Sequence, residues 1–283
     1  MRILHVDKFL RRQGGAAGYM LDVAALQRRA GHDVDFFAMQ HPANLPATYE
    51  DQFPPFVQLD PPPRGALARA GTVATMVWSG RAARCLAEVV DDFRPDVVHL
   101  HNVYHQLSPS ILRPLQRRGI PVVMTVHDYK LVCPSYRLLD QDGLCDACVG
   151  AGPLLTAPVR RRCKDGSIGA SAVLALESSL HRLLGAWRPV SRFIAPSAFL
   201  ASTLRRGGFP ADEVVHLPNF VDADAIEARH GPGEGFVFVG RLSGEKGVDI
   251  AVRAVGQLPG ARLTVAGDGP ERAALEALAE DVA

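Results

Sequence analysis

The chain has 283 residues, 47% of them hydrophobic and 22% charged, and its 31 Lys and Arg against 30 Asp and Glu give a formal net charge of +1. This balance gives no electrostatic reason to expect DNA, RNA or an acidic polymer as the main partner. The composition argues against disorder over most of the length, and the length fits one large domain or two smaller ones.

The hydrophobic pattern predicts strands that alternate with helices. Strands are expected at residues 2–6, 33–39, 95–101, 121–126, 192–195 and 213–217. Helices are expected at about residues 16–29, 66–92, 108–118, 171–187 and from 196 onwards. Regular alternation of this kind is typical of a right-handed, doubly wound parallel sheet, so the fold class is α/β.

A second, shorter pattern of the same kind follows a linker at residues 221–234. It has strands at 236–240 and 262–266 and helices at 246–257 and 271–280. About 50 residues are too few for an independent core. We expect residues 1–222 to form the first domain and residues 223–283 the linker and an incomplete second domain.

No apolar run reaches the roughly 18 residues that a membrane-spanning helix needs. The best candidate, residues 169–187, is interrupted by Glu177, His181 and Arg182. The first apolar stretch ends at Asp7, too early for a signal peptide. We therefore expect a cytoplasmic protein with reduced cysteines.

Several motifs point to a known family. Residues 236–247 (FVFVGRLSGEKG) and 263–270 (LTVAGDGP) resemble the donor-binding half of family 4 retaining glycosyltransferases, which have the GT-B fold. Upstream, the Gly14-Gly15 pair and residues 96–102, 125–128, 195–197 and 217–222 carry similar motifs in the same order as that family. The resemblance implies two facing Rossmann-like domains, of which the N-terminal one receives the acceptor and the C-terminal one the nucleotide sugar.

The resemblance also assigns roles to individual residues. Arg241 and Lys246 would grip the donor pyrophosphate, with no divalent metal and no catalytic cofactor required. Cations at that place stabilise the negative charge that develops on the leaving phosphate. His127 follows a strand at the sheet edge where ligands bind in open α/β sheets, and it would hold the transferred sugar for front-face attack.

Gly15 is predicted to bring its backbone close to the donor phosphate, because a residue without Cβ allows close approach. Gly14, His101 and Asn219 are further candidates for the cleft. The implied partners are a UDP or GDP sugar and a hydroxyl acceptor on a saccharide, a lipid-linked sugar or a small molecule. The absence of a Gly-x-Gly-x-x-Gly fingerprint in the first loop disfavours a nicotinamide enzyme.

An insertion at about residues 133–163 does not belong to the family pattern. It contains Cys133, Cys145, Cys148 and Cys163, which suit a structural zinc ion or an iron–sulfur cluster, with free thiols as the alternative. The basic segment at residues 160–164 could offset thiolate charge, contact an anionic acceptor or touch the inner face of a membrane.

The family usually carries two glutamates late in the C-terminal domain, and this sequence ends before that point. Glu271 and Glu276 do not match them. Three alternatives stay open beside an active glycosyltransferase. The first is an inactive or split fragment, and the second is a nonenzymatic metal-binding module built on the cysteine cluster. The third is a nucleotide-sugar epimerase or another Rossmann enzyme, which would need a dinucleotide fingerprint that the sequence lacks.

Overall fold

The computed structural model describes residues 1–12, 14–59, 61, 63–227, 231 and 233–282. The chain divides into two compact units, Met1–Phe220 and Val221–Ala283. In chain order the first unit contains β1 (Arg2–Val6), α1 (Gly14–Arg29), β2 (Asp33–Phe37), α2 (Ala66–Val77), α3 (Gly80–Phe93), β3 (Val97–Leu100), α4 (Leu112–Arg117), β4 (Val122–Thr125), β5 (Leu139–Asp140), β6 (Gly143–Leu144), α5 (Ala157–Arg160), α6 (Ile168–Leu183), β7 (Arg192–Ala195), α7 (Ala198–Arg206) and β8 (Val214–His216).

The central sheet of the first unit is parallel throughout. Its strand order is β2-β1-β3-β4-β7-β8. The chain moves outward from β1 to β2 and then crosses to the other side of β1, so the order reverses between β1 and β3. Open α/β sheets bind ligands beyond the carboxyl ends of the strands at such a reversal. This confirms the predicted α/β class with a doubly wound parallel sheet.

The long helix predicted at residues 66–92 is wrong, because the structure has two helices there. Trp78 is extended, and Ser79 caps α3 by accepting a hydrogen bond from the Ala82 N–H at 3.2 Å. The Ser79 N–H in turn donates to Ser108 Oγ at 2.8 Å. A serine at this position offers the backbone a cap, and the pair with Gly80 favours a new helix start.

Both faces of the central sheet are covered, because consecutive strand residues such as Ile3 and Leu4 are buried. In α3 the buried side chains include Leu86, Val89, Val90 and Phe93, which recur at helical spacing and therefore line one face. They join strand residues such as Leu100 in one apolar cluster.

The second unit contains β9 (Phe236–Val239), α8 (Val248–Gly256), β10 (Leu263–Ala266) and α9 (Arg272–Val282). β9 and β10 pair in parallel. The buried apolar cluster of this unit consists of Leu242, Val248, Val252 and Leu275.

Within the described residues, no helix combines the length and apolarity needed to cross a membrane.

Candidate active site

Polar residues follow the three central strands of the first unit at their carboxyl ends. Asp7 follows β1, Asn102 lies two residues after β3, and His127 lies two residues after β4. The ends of β1 and β3 are tied together, because the Asn102 N–H donates to Asp7 Oδ2 at 3.4 Å and the Lys8 N–H donates to the Asn102 carbonyl at 3.3 Å. This edge of the sheet is where the strand order reverses.

A chain of hydrogen bonds runs through the sheet to His127. Gln27 Oε1 lies 2.7 Å from His5 Nε2, and His5 Nδ1 lies 3.1 Å from His101 Nε2. His101 Nδ1 then lies 3.1 Å from His127 Nε2. The imidazoles of His5, His101 and His127 are thus linked in series. The side-chain amide of Gln27, on α1, lies at the end of the series opposite His127.

The amide fixes the tautomer of every ring in this chain. The oxygen of Gln27 can only accept, so His5 carries its proton on Nε2 and accepts at Nδ1. His101 must then donate from Nε2 and accept at Nδ1, and His127 must donate from Nε2. The open lone pair of His127 therefore lies on Nδ1, which has no hydrogen-bond partner among the residues that the structure describes.

Burial keeps these rings neutral. It lowers the pKa of His5 and of His127 to about 4, and it lowers the pKa of His101 well below the ordinary range. A protonated ring would have two donors, and the series above needs one donor and one acceptor on each ring. The nitrogens of His5, His99 and His101 come within 4.8 Å of one another, close enough to share a metal ion. The hydrogen-bond chain nevertheless satisfies both nitrogens of His5 and His101 without one.

His127 and His101 take different positions. His127 is half-buried, and the ring of Tyr19 meets it edge-on with 5.6 Å between centroids. His101 has no exposed surface and lies behind His127. The structure therefore places His127 where a ligand could reach it and His101 where it can only position His127.

The other predicted residues of the first unit lie around the same end of the sheet. Gly14 and Gly15 open α1, and both are exposed. Gly14 has a φ of 75°, a left-handed conformation that favours glycine. Asn219 is exposed, and its neighbour Phe220 brings its ring to 5.8 Å from the ring of Tyr19.

Two carboxyl groups at this edge were missed by sequence reasoning. Asp7 is only 2% exposed, and burial raises its pKa to about 6 against the opposing hydrogen bonds from backbone N–H groups and the charge of Lys8. Burial likewise raises the pKa of Asp128. Each is the first or second polar residue after a buried strand. The same position identified His127, but the sequence prediction considered only the histidine there.

A buried ion pair supports the loops that follow β3 and β4. Glu177 on α6 accepts from Lys130 Nζ at 2.8 Å and contacts His105 Nδ1 at 2.8 Å. Lys130 Nζ also donates to the Pro134 carbonyl at 3.1 Å. One helix residue thus holds both strand-end loops. Sequence reasoning missed this role, because it considered Glu177 only as an interruption of an apolar run.

In the second unit, Arg241 and Lys246 are both exposed and follow β9. The prediction that Lys246 opens a helix needs a small correction, because Lys246 ends a 3-10 turn and α8 begins at Val248. Glu245 lies between the two cations, and it accepts from Ser243 Oγ at 2.8 Å. That hydrogen bond, with smaller contributions from both cations, lowers its pKa.

The loop that carries Arg241 is held against the loop that follows β10. The Leu242 N–H donates to the Asp268 carbonyl at 2.9 Å, and the Gly240 N–H donates to the Ala266 carbonyl at 3.0 Å. The backbones approach so closely that a Cβ on Gly267 would overlap the Gly240 carbonyl oxygen. Glycine at this position is therefore required by the packing.

Comparison with protein families identifies the class. Residues 13–225 match the family described as Glycosyltransferase Family 4, and residues 223–283 match the one described as Glycosyl transferases group 1. The first match covers well over half of the sequence, so the chain belongs to this glycosyltransferase family.

Solved structures confirm the GT-B fold. The Anabaena protein Alr3699/HepE, solved in complex with UDP and glucose, has a TM-score of 0.55 at 18% identity, over all of this chain and 65% of its own. The lipopolysaccharide outer core galactosyltransferase WaaB in its apo form has a TM-score of 0.51 at 12% identity, again over all of this chain and 65% of its own. The UDP-GlcNAc 2-epimerase from Methanocaldococcus jannaschii has a TM-score of 0.50 at 9% identity, over 99% of this chain and 70% of its own.

These likenesses concern the fold, and no curated protein matches the chain at a significant level. The chain spans about 65% of the length of WaaB, the first of the solved structures it resembles.

Proposed function

We propose that this chain transfers a sugar from a UDP sugar to a hydroxyl acceptor with retention of anomeric configuration, and that the leaving diphosphate needs no divalent metal. Family membership supports the reaction class. The Anabaena structure with UDP and glucose supports UDP as the donor nucleotide. The acceptor hydroxyl would belong to a saccharide, a lipid-linked sugar or a small molecule, and the reaction would take place in the cytoplasm. The basic segment at residues 160–164 would meet an anionic acceptor or the inner membrane surface.

The observation that carries the proposal is the fixed tautomer of His127. Its Nε2–H is engaged by His101, so Nδ1 is left to accept a hydrogen bond from a hydroxyl group of the transferred sugar. A ring with a pKa of about 4 is neutral at pH 7 and suits this role better than that of a general acid. His127 would therefore orient the sugar rather than protonate the leaving group.

Arg241 and Lys246 would act on the leaving group. Both side chains are exposed on a loop whose backbone is hydrogen-bonded to the loop after β10, so two positive charges are available to a diphosphate. Preorganised cations stabilise the charge that develops in the transition state and remove the need for a bound metal there.

The proposed sugar transfer needs no reactant besides the donor and the acceptor. The bond from the anomeric carbon to the phosphate oxygen breaks, and a bond to the acceptor oxygen forms on the same face of the sugar. The proton of the acceptor hydroxyl passes to an oxygen of the leaving nucleoside diphosphate. The products are the glycosylated acceptor, with its configuration retained, and the protonated diphosphate.

Donor binding is the first test. A ligand that binds only the folded state raises stability, so thermal unfolding with UDP, GDP and ADP sugars should show a shift for UDP sugars. The shift should vanish in Arg241→Ala and Lys246→Ala and persist in Arg253→Ala, which removes an exposed cation from α8 of the same unit. A shift that all three variants keep would contradict the assigned phosphate site.

Stereochemistry and the role of His127 are the second test. NMR of the product should show the anomeric configuration of the donor, and added EDTA should leave the initial rate unchanged. His127→Ala should lower kcat by about 100-fold, as expected for a group that holds the sugar in the reactive orientation. An inverted product would refute retention. A donor epimerised at C2 without any acceptor would refute transfer itself.

A further inference from the structure

The four cysteines of the insertion line one small cavity. Cys133, Cys148 and Cys163 are buried, Cys145 is half-buried, and all of them are reduced. Residues far apart in the sequence thus converge on one point.

Separate segments of the backbone position these thiols. The Cys133 N–H donates to the Tyr129 carbonyl at 2.7 Å, which fixes it just after β4. Cys145 follows the hairpin of β5 and β6, and its N–H donates to the Leu138 carbonyl at 2.8 Å. The Cys163 N–H donates to the Pro158 carbonyl at 3.1 Å, directly after α5.

A hydrogen-bond donor and a guanidinium group lie beside the sulfurs. The backbone N–H of Ala147 hydrogen-bonds the sulfur of Cys145 inside the Cys-x-x-Cys turn. Arg161, which pairs with Asp140, lines the same cavity. N–H donors and nearby guanidinium groups offset the negative charge that thiolates keep when they bind a divalent cation.

One arginine of α6 holds the cysteine segment in place. Arg182 donates to the carbonyl groups of Cys148 and Val132, each at 3.0 Å, and its other nitrogen reaches Ala151 at 3.2 Å. The same helix holds Lys130 through Glu177, so the cysteine cluster and the loop that bears His127 share one support.

We propose that Cys133, Cys145, Cys148 and Cys163 together bind one zinc ion. Four thiolates in a tetrahedron are a regular zinc coordination sphere, with Zn–S bonds of about 2.3 Å. All four cysteines line the same small cavity, so one ion there could be shared by four sulfurs.

The structure spaces these sulfurs more widely than a bound ion would. Among the described residues, potential metal-ligating atoms of His5, His99 and His101 lie within 4.8 Å of one another. No three of the cysteine sulfurs come that close together. Tetrahedral zinc would bring sulfurs to about 3.8 Å from one another. Zinc binding would therefore bring the four sulfurs closer together.

Metal content tests the assignment directly. The full chain, produced in zinc-supplemented medium and purified without chelators, should carry about one zinc by native mass spectrometry and elemental analysis. Cys148→Ser and Cys145→Ser should retain at least about 10-fold less zinc. Cys85→Ser is the matched control, because Cys85 lies on α3 outside the cluster, and it should keep the full content.

Thiol reactivity tests the same point in the unaltered chain, in case a variant does not fold. Labelling under native conditions should modify Cys85 and spare the four cluster thiols until a chelator removes the metal. Folded chain without zinc and with all thiols reactive would overturn the proposal. So would a disulfide within the cluster, or iron with acid-labile sulfide. None of these measurements depends on transfer activity, so the zinc site and the proposed function can fail separately.

Discussion

Removing the charge of Glu177 should destabilise the first unit by about 3 kcal/mol. Burial alone would raise the pKa of this carboxyl group, but Lys130 and His105 outweigh burial and lower it from 4.5 to about 2. A shift of that size corresponds to about 3 kcal/mol of stabilisation at neutral pH. Breaking a buried ion pair by removing one partner costs a similar amount, about 3–5 kcal/mol, because the remaining charge is left buried.

Guanidinium unfolding of Glu177→Gln, followed by tryptophan fluorescence, measures this. The chain has two tryptophans, and both Trp78 and Trp187 lie in the first unit, so the signal reports that unit alone. Asp91→Asn is the control. It breaks the pair with Arg118 at the surface, where Asp91 is 63% exposed, and it should leave the free energy of unfolding nearly unchanged.

A double-mutant cycle with Lys130→Met separates the ion pair from other effects. The double variant should be more stable than the sum of the single losses predicts, with a coupling of about 1–3 kcal/mol. The contribution of Glu177 should be complete above pH 4.5 and should disappear as the pH falls toward 2, since the folded-state pKa is the lower one. Additive losses, or a Glu177→Gln variant as stable as the control, would refute the pairing.

Three further changes probe the site. For Asp7 the pH effect has the opposite sign, because burial raises its pKa from 3.8 to about 6. The free energy of unfolding should therefore fall by up to about 3 kcal/mol as the pH rises through that interval. Urea unfolding of Asp7→Asn should lack this dependence on pH. Gln27→Met removes the acceptor that fixes the imidazole chain, so ¹⁵N NMR should show mixed tautomers at His127; unchanged nitrogen shifts would contradict the assignment. Gly267→Ala should abolish the UDP-sugar thermal shift, because the new methyl group overlaps backbone, whereas Gly233→Ala, which meets no atom within 4 Å, should retain it.

The strands could be located from the sequence because a buried parallel strand is a short continuous apolar run, and each predicted strand of the first unit is found within about three residues. The break at Ser79 could not be located in the same way. Apolar residues continue at helical spacing across residues 66–92, and the partner of the Ser79 backbone N–H is Ser108, which lies 29 residues further along the chain.

In the candidate site, too, local features could be predicted from the sequence and long-range contacts could not. His127 could be predicted because its place after a strand is a local feature. The partners that fix its tautomer could not, since His101 lies 26 residues before it and His5 lies 96 residues before His101. Their contacts arise only once β1, β3 and β4 are neighbours in the sheet. The spacing of the cysteines suggested a shared site, but only the fold brings Cys133 and Cys163 to one cavity.

Burying imidazoles in a sheet core is costly unless each nitrogen finds a partner. The hydrogen-bond series from Gln27 through His5 and His101 meets that condition with neutral rings. It leaves one open acceptor, Nδ1 of the half-buried His127. A single imidazole at the end of β4 could adopt either tautomer and could rotate. Because the buried rings remove that freedom, His127 presents the same lone pair in every molecule, and its ordering is completed before any sugar binds.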